Sequence, residues 1–296
     1  MFKIFERGVI MKELKRILVG LDVTEKSNNV LKRALSIANE HKADLFIVHD
    51  VRTPWVGVPS YFGGKDIDID NESISKNIEK KIKLLNREFK VNCFVFVKEG
   101  NPQDIILYES KLNQIDMIVM GAHSKAKGRK GFLGTTAQKV AHLSHLPVLI
   151  VKNSAKSPYK HIIAPTDFGM QSKQSILFAK DIFPNAKINV VNAFDTIYME
   201  GPYAVVGRDL SQYNDVAKSC AKSDLKHFMQ EVSVKKGKVI DGELYTKETL
   251  VTYIKEGQYD LVIVGSRGTI GLNALLGSVS NYILRETSKD VLVYVP

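Results

Sequence analysis

Two stretches of this chain carry glycines and hydroxyl residues at a spacing that suits the binding of a phosphate group. The first runs from Gly121 to Thr136 and the second from Gly265 to Ser280. Each follows a short apolar segment, Met117–Met120 or Leu261–Val264, which is typical of a strand buried on both faces of a parallel sheet. Each ends in glycine and hydroxyl residues just before a helical pattern, as a helix N-terminus does. Free N–H groups and the positive end of the helix dipole would then face one point, which predicts a site for an anion such as a nucleotide phosphate.

An aspartate follows the first apolar segment of each half of the chain. Asp22 comes after RILVGL, and Asp167 comes after HIIAPT. If the strands that end near Asp22 and Gly121 are neighbours in a sheet, the acid and the glycine loop line one crevice at the carboxyl ends of the strands, where such sheets bind ligands. The alternative is that both aspartates only cap the helices that follow them.

The two halves are copies of one another in a common frame. Asp22 recurs as Asp167 after 145 residues, and Gly134 recurs as Gly277 after 143 residues. In both halves strands alternate with helical patterns, which predicts parallel sheets with helices on both faces. The third strands are predicted at 91–97 and 238–244.

A polar segment, KNSAKSPY, separates the two halves and predicts a linker. We therefore expect two domains, residues 1–153 and 154–296, with residues 1–11 either a small N-terminal extension or a misassigned start.

The composition excludes several classes of protein. With 44% hydrophobic and 25% charged residues, the chain is typical of a globular protein. No apolar run approaches the roughly 20 residues of a membrane span, and the N-terminal segment lacks the apolar core of a signal peptide, which predicts a cytoplasmic protein without membrane contact. The net charge of +10 comes from lysines mixed with glutamates on polar helix faces, so nucleic acid is not an expected partner. Cys93 and Cys220 lack a Cys-x-x-Cys spacing, which predicts buried, inert thiols in a reducing compartment.

Enzyme motifs are missing where they would be expected. The Gly-x-Gly-x-x-Gly fingerprint does not follow the first strand of either half, and the chain contains no Gly-x4-Gly-Lys-[Ser/Thr] loop. His142 and His145 lie near one another without acids or cysteines at metal-ligating spacing. We therefore predict no catalytic residue and no metal ligand.

The second glycine stretch carries a more specific pattern. Gly265 and Gly268 are followed, after eight intervening residues, by Gly277 and Ser278, and Pro-Thr-Asp ends at Asp167. This combination resembles the nucleotide motif of the universal stress protein family, in its form with two domains in tandem, and the resemblance covers nearly the whole chain. In the first half, Ser124 stands where the second glycine belongs, so the second domain is the better match.

The resemblance implies two flavodoxin-like (adenine nucleotide alpha hydrolase-like) α/β domains, each with a parallel five-stranded sheet. It implies ATP as the ligand, with or without Mg²⁺, bound chiefly by the second domain. The binding residues that it implies are Pro165, Thr166, Asp167, Ala193, Val264, Gly265, Gly268, Gly277, Ser278 and Val279 in the second domain, and Asp22, Asp50, Gly121, Gly134, Thr135 and Thr136 in the first.

The expected function is that of a cytoplasmic stress-response protein that acts through nucleotide-dependent conformation or choice of protein partner. Two alternatives stay open. The chain could be a module that binds a partner or another small ligand without nucleotide, in the loop of Trp55, Tyr61 and Phe62, or it could be a slow ATP hydrolase.

The last strands of the two halves, LPVLIV and VLVYV, are apolar throughout and would be liabilities as free sheet edges. We predict that they pair with each other between the domains, so that one chain mimics the family's homodimer. A homodimer of the whole chain stays open as well.

Overall fold

The computed structural model describes residues 13–22, 27–51, 71–122, 133–155, 157–194, 211–242, 245–266 and 276–296. They belong to two compact units: residues 13–122 with 134–155, which we call the first domain, and residues 157–296, which we call the second domain. The predictions that concern Trp55, Tyr61, Phe62, Ser124 and Gly268 lie outside the described residues.

The first domain alternates strands and helices along the chain. Its elements are β1 (Arg16–Gly20), α1 (Ser27–His41), β2 (Asp44–Val51), α2 (Asn71–Leu85), β3 (Cys93–Glu99), α3 (Pro102–Leu112), β4 (Met117–Gly121), α4 (Thr135–Leu143) and β5 (Val148–Val151).

The second domain repeats this order. Its elements are β6 (His161–Pro165), α5 (Met170–Ile182), β7 (Lys187–Phe194), α6 (Ser211–Glu231), β8 (Lys236–Asp241), α7 (Thr246–Glu256), β9 (Leu261–Gly265), α8 (Ser278–Glu286) and β10 (Asp290–Tyr294).

Each domain is built on one parallel sheet of five strands. The order is β3-β2-β1-β4-β5 in the first domain and β8-β7-β6-β9-β10 in the second. The apolar middles of β1 and β4 are fully buried, because helices cover both faces of such a sheet. The predicted fold class is confirmed. β1 is followed by β2 and β3 on one side of the sheet, and β4 is followed by β5 on the other side. The carboxyl ends of β1 and β4 therefore flank the crevice where ligands bind in sheets of this kind.

In each domain, one aspartate aligns the two central strands. Asp116, just before β4, accepts hydrogen bonds of 2.9 Å from two backbone N–H groups at the start of β1. Asp260, just before β9, accepts bonds of 2.8 and 2.9 Å from the start of β6. Since both strands begin at one fixed level, their carboxyl ends lie side by side.

The edge strands and one cysteine differ from the sequence predictions. β3 and β8 each begin two residues away from the predicted positions, β3 later and β8 earlier. Edge strands carry exposed charges, here Lys98 and Lys238, so hydrophobic alternation does not mark their ends.

The prediction of buried thiols is wrong for Cys220, which is exposed on α6, whereas Cys93 is half-buried. Cys220 lies outside the apolar stripe with which α6 packs on its sheet.

Candidate functional site

A cavity of about 340 Å³ lies at the carboxyl ends of β1 and β4 in the first domain. This volume is within the range of small-molecule sites. The exposed Thr135 is not part of its lining. The other residues predicted for this domain all line the cavity: Asp22, Asp50, Gly121, Gly134 and Thr136. The fold therefore brings together side chains and backbone that are far apart in the sequence.

A buried histidine fixes the segment that carries Asp22. The N–H of Leu21 donates to the carbonyl of Val48 at 2.9 Å, which continues the pairing of β1 with β2 beyond the end of β1. His49 is 6% exposed, and its Nδ1 lies 2.8 Å from the carbonyl oxygen of Leu21. Because a carbonyl can only accept, Nδ1 carries the proton and donates. Asp22 and Asp50 thus follow two residues that are hydrogen-bonded to one another.

The N-terminus of α4 forms another side of the cavity. Gly134 is the N-cap residue, with extended backbone angles of φ −64° and ψ 146°, and no side chain caps the helix. The Gly134 N–H donates to the carbonyl of Ala122 at 2.7 Å, which fixes the helix start beside β4. The first turn of a helix has N–H groups without partners inside the helix. Thr136 and Ala137 of this turn line the cavity, which makes this side suited to an anion.

The rest of the lining combines an apolar wall with charged groups. Val48, Ile106 and Met120 are buried side chains that line the cavity from β2, α3 and β4. Asp50 lines it together with Val48 because residues two apart on a strand share one face. Lys152, just after β5, adds a positive charge. One ligand could therefore meet apolar surface, carboxylates and a cation.

In the second domain, helix backbone covers the glycine that corresponds to Gly121. A Cβ added to Gly265 would lie 3.1 Å from the backbone oxygen of Gln171 and 3.2 Å from its carbonyl carbon. The first turn of α5 therefore packs directly on the end of β9.

Asp167 is held within the segment that leads into α5. Its Oδ1 accepts a hydrogen bond from the backbone N–H of Gly169 at 3.0 Å and another from the hydroxyl of Ser172 at 2.8 Å. Gly169 is the N-cap residue of α5, and no side chain caps the first turn of this helix. One carboxylate oxygen of Asp167 is thus already engaged within its own segment.

Comparison with known proteins identifies the family of both domains. A sequence model described as the Universal stress protein family matches residues 13–152 and again residues 158–295. The chain belongs to the universal stress protein family. A universal stress protein of Methanocaldococcus jannaschii is 29% identical over 143 residues, which cover 48% of this chain and 84% of the relative. The universal stress protein YxiE of Bacillus subtilis is 30% identical over 149 residues, which cover 46% of this chain and 98% of the relative.

Solved structures resemble the whole chain in fold. A functionally unknown protein of Pseudomonas aeruginosa aligns with a TM-score of 0.70 at 17% identity, over 96% of this chain and 93% of the other. A universal stress protein of Archaeoglobus fulgidus aligns with a TM-score of 0.63 at 16% identity, over 96% and 99%. At these identities the likeness shows the tandem fold alone.

The other residues predicted for the second domain of this universal stress protein lie around the ends of β6, β7 and β9. Gly277 is the N-cap of α8, with φ −60° and ψ 158°, and Ser278 and Val279 begin that helix. Val264 is buried within β9. The hydroxyl of Ser280 donates to the carbonyl of Gly265 at 2.9 Å, which ties the helix start to the strand end. The remaining three predicted residues are at the ends of β6 and β7: Pro165, Thr166 and Ala193.

The sequence prediction missed the residues that hold the strand ends in place. Asn192 does in the second domain what His49 does in the first: its Nδ2 donates to the carbonyl of Thr166 at 2.9 Å. The signal was available, because His49 and Asn192 are 143 residues apart, within the repeat frame.

Among the described residues there is no group of three or more His, Cys, Asp or Glu that could hold a metal ion. In the same residues, no helix is both long enough and apolar enough to cross a membrane.

Proposed function

We propose that the first domain of this universal stress protein binds a nucleotide, with ATP as the expected ligand, in the cavity at the ends of β1 and β4. The observation that carries the proposal is that Asp22, Asp50, Gly121, Gly134 and Thr136 all line this one cavity. The proposal ranks the first domain above the second, although the second matches the motif better.

The phosphates would lie at the start of α4. The uncapped first turn offers backbone N–H groups, the hydroxyl of Thr136 offers a further donor, and the helix dipole favours negative charge. Lys152 also lines the cavity and would supply a compact positive charge.

The nucleoside would occupy the side formed by β1, β2 and α3. A carboxylate is a good acceptor for ribose hydroxyls, and Asp22 is placed by the Leu21–His49 bond for this role. Val48 and Ile106 would pack against the base. Magnesium bound with ATP would be held by phosphate oxygens and water.

In a stress response, bound nucleotide would change which conformation or partner is favoured. Such an effect requires that ATP bind one state of the protein more tightly than another. We place this activity in the cytoplasm, in keeping with the sequence expectation.

The decisive experiment compares matched aspartates in the two domains. Small molecules released from freshly purified full-length protein are identified by mass spectrometry, and ATP is titrated by calorimetry with and without Mg²⁺. We expect Asp22→Ala to lose nucleotide, since the substitution removes a carboxylate from the cavity. Asp167→Ala should keep it, since that carboxylate is engaged by Gly169 and Ser172 within its own segment.

Gly121→Val adds a second test, because it places a branched side chain in the cavity lining. Loss of ATP in Asp167→Ala but not in Asp22→Ala would return the site to the second domain. If wild-type protein carries no nucleotide and ATP does not raise its Tm, the nucleotide proposal fails and the chain is better studied as a partner-binding module. Added ligand at about 100 times its Kd should stabilise the protein by roughly 2.7 kcal/mol.

A further inference from the structure

A second concavity lies in the second domain, between α6 and β8, with a volume of about 660 Å³. We call it the α6–β8 groove. One stripe of α6 forms its wall: Lys222, Leu225, Lys226, Met229 and Gln230. These positions share one face because residues three and four apart are neighbours on a helix. The stripe alternates lysines with apolar side chains, so the groove has an apolar floor and a positive rim.

The other wall is a strand with a free edge. The N–H of Gly242 donates to the carbonyl of Phe194 on β7 at 2.8 Å. Since backbone groups alternate in direction along a strand, those of Gly237, Val239 and Asp241 point to the opposite edge. Among the described residues no strand pairs with that edge. Gly237 and Val239, which line the groove, thus direct backbone donors and acceptors toward this edge.

Glycine at position 237 lets the strand lie close to the helix. A Cβ there would overlap the sulfur of Met229 and lie 3.2 Å from Leu225, so this face of β8 is turned toward α6. The neighbouring Lys238 also lines the groove, but the end of its side chain lies elsewhere, with its Nζ 5.2 Å from the centre of the Tyr253 ring. The positive charge at the groove therefore comes from the two lysines of the stripe and from Lys235, which also lines it.

The charge of the groove is of one sign. Among the described residues that line it, none carries a carboxylate. The chain as a whole has a net charge of +10, so a second copy would bring more positive charge to this surface. An occupant that complements it is acidic, has some apolar side chains for Leu225 and Met229, and can pair with a strand edge.

We propose that the α6–β8 groove binds an extended acidic segment of a partner protein, which adds to the sheet as a strand beside β8. Main-chain hydrogen bonds to Gly237 and Val239 would hold the segment, and Lys222, Lys226 and Lys235 would select its carboxylates. Lysines near a sheet edge can also serve only to prevent other strands from pairing with it. The test therefore has to distinguish selective binding of an acidic segment from this general repulsion. This proposal does not depend on nucleotide binding in the first domain.

The test uses a fluorescein-labelled peptide of alternating glutamate and valine, about seven residues long to match a typical strand, with full-length protein and fluorescence anisotropy. We expect saturable binding that weakens as salt is raised. Lys222→Glu combined with Lys226→Glu should weaken it about tenfold or more, because the rim then repels the peptide. Lys255→Glu, on α7 and outside the groove, is the matched control and should leave the Kd within about twofold.

Backbone pairing is tested separately. Val239→Pro removes an N–H that points to the free edge while leaving the bonds to β7, a position where proline is tolerated, and should abolish binding at unchanged Tm. A peptide N-methylated on alternate amides gives the same test without changing the protein. Equal binding of a lysine–valine peptide, or full binding of the N-methylated peptide, would overturn the proposal. So would the absence of binding at about 1 mM peptide, or a concentration-dependent dimer that occupies the groove.

Discussion

Replacing His49 should destabilise the first domain by an amount that depends chiefly on whether the new side chain can donate a hydrogen bond. His49 is 6% exposed and donates to the Leu21 carbonyl at 2.8 Å. A buried acceptor left without a partner costs about 1–3 kcal/mol, and loss of the ring from a packed position adds to this. For a domain of about 150 residues, each kcal/mol lowers Tm by roughly 2–4 °C. We therefore expect His49→Ala to lower the Tm of the first domain by about 2–12 °C.

The second domain supplies the matched variant. Asn192 makes the equivalent bond to the Thr166 carbonyl at 2.9 Å, so His49→Asn should recover much of the loss. Unfolding is followed by hydrogen exchange and mass spectrometry, which report on each domain separately because a two-domain chain need not unfold in one step. ATP affinity is measured on the same variants, since this bond also places Asp22. Equal losses in His49→Ala and His49→Asn would refute the role of the hydrogen bond, as would a loss below about 0.5 kcal/mol.

Three further predictions follow from individual contacts. Burial, together with the nearby Asp44 carboxylate, raises the pKa of Cys93 to about 11. At pH 8, iodoacetamide should therefore label the exposed Cys220 long before Cys93, which peptide mapping measures. Equal labelling rates for the two cysteines would contradict this prediction. Gly265→Ala should lower the free energy of unfolding, measured in urea, by about 1–3 kcal/mol, because the new Cβ meets the backbone of Gln171. An unchanged urea midpoint would show that α5 can shift to make room for the methyl group. Burial raises the pKa of Asp181, so its contribution to stability is full in acid and is lost as pH rises through the folded-state pKa. Asp181→Asn should therefore raise Tm at pH 7 and lose this advantage in acid. A gain in Tm that is the same at both pH values would exclude burial of the charged carboxylate as the cause.

The sheets were predictable because buried parallel strands leave a simple mark in the sequence. RILVG and LVIVG are apolar on both faces, and short apolar runs that alternate with helices are typical of strands in a parallel sheet. The repeat frame then placed Asp22 and Gly121 at neighbouring strand ends. The edge strands left a weaker mark, because their outer residues face water and tolerate lysine.

The location of the open cavity was not predictable from the motif. The second domain has the better match, yet Gly265 lies against the Gln171 backbone. A motif records which residues are present at a strand end, whereas the space beside them depends on how the next helix packs against that end. The pairing of the last strands of the two domains remains a prediction from their sequence.

The same positions have different surroundings in the two domains. In the second domain the first turn of α5 packs on the end of β9, and Asp167 accepts a hydrogen bond from Gly169, the N-cap residue of α5. In the first domain Gly121 and Asp22 both line a cavity. A side chain of the second strand holds the end of the first strand in each domain, His49 in one and Asn192 in the other. The motif residues at the strand ends are therefore shared, whereas the space beside them depends on how the following helix packs against them.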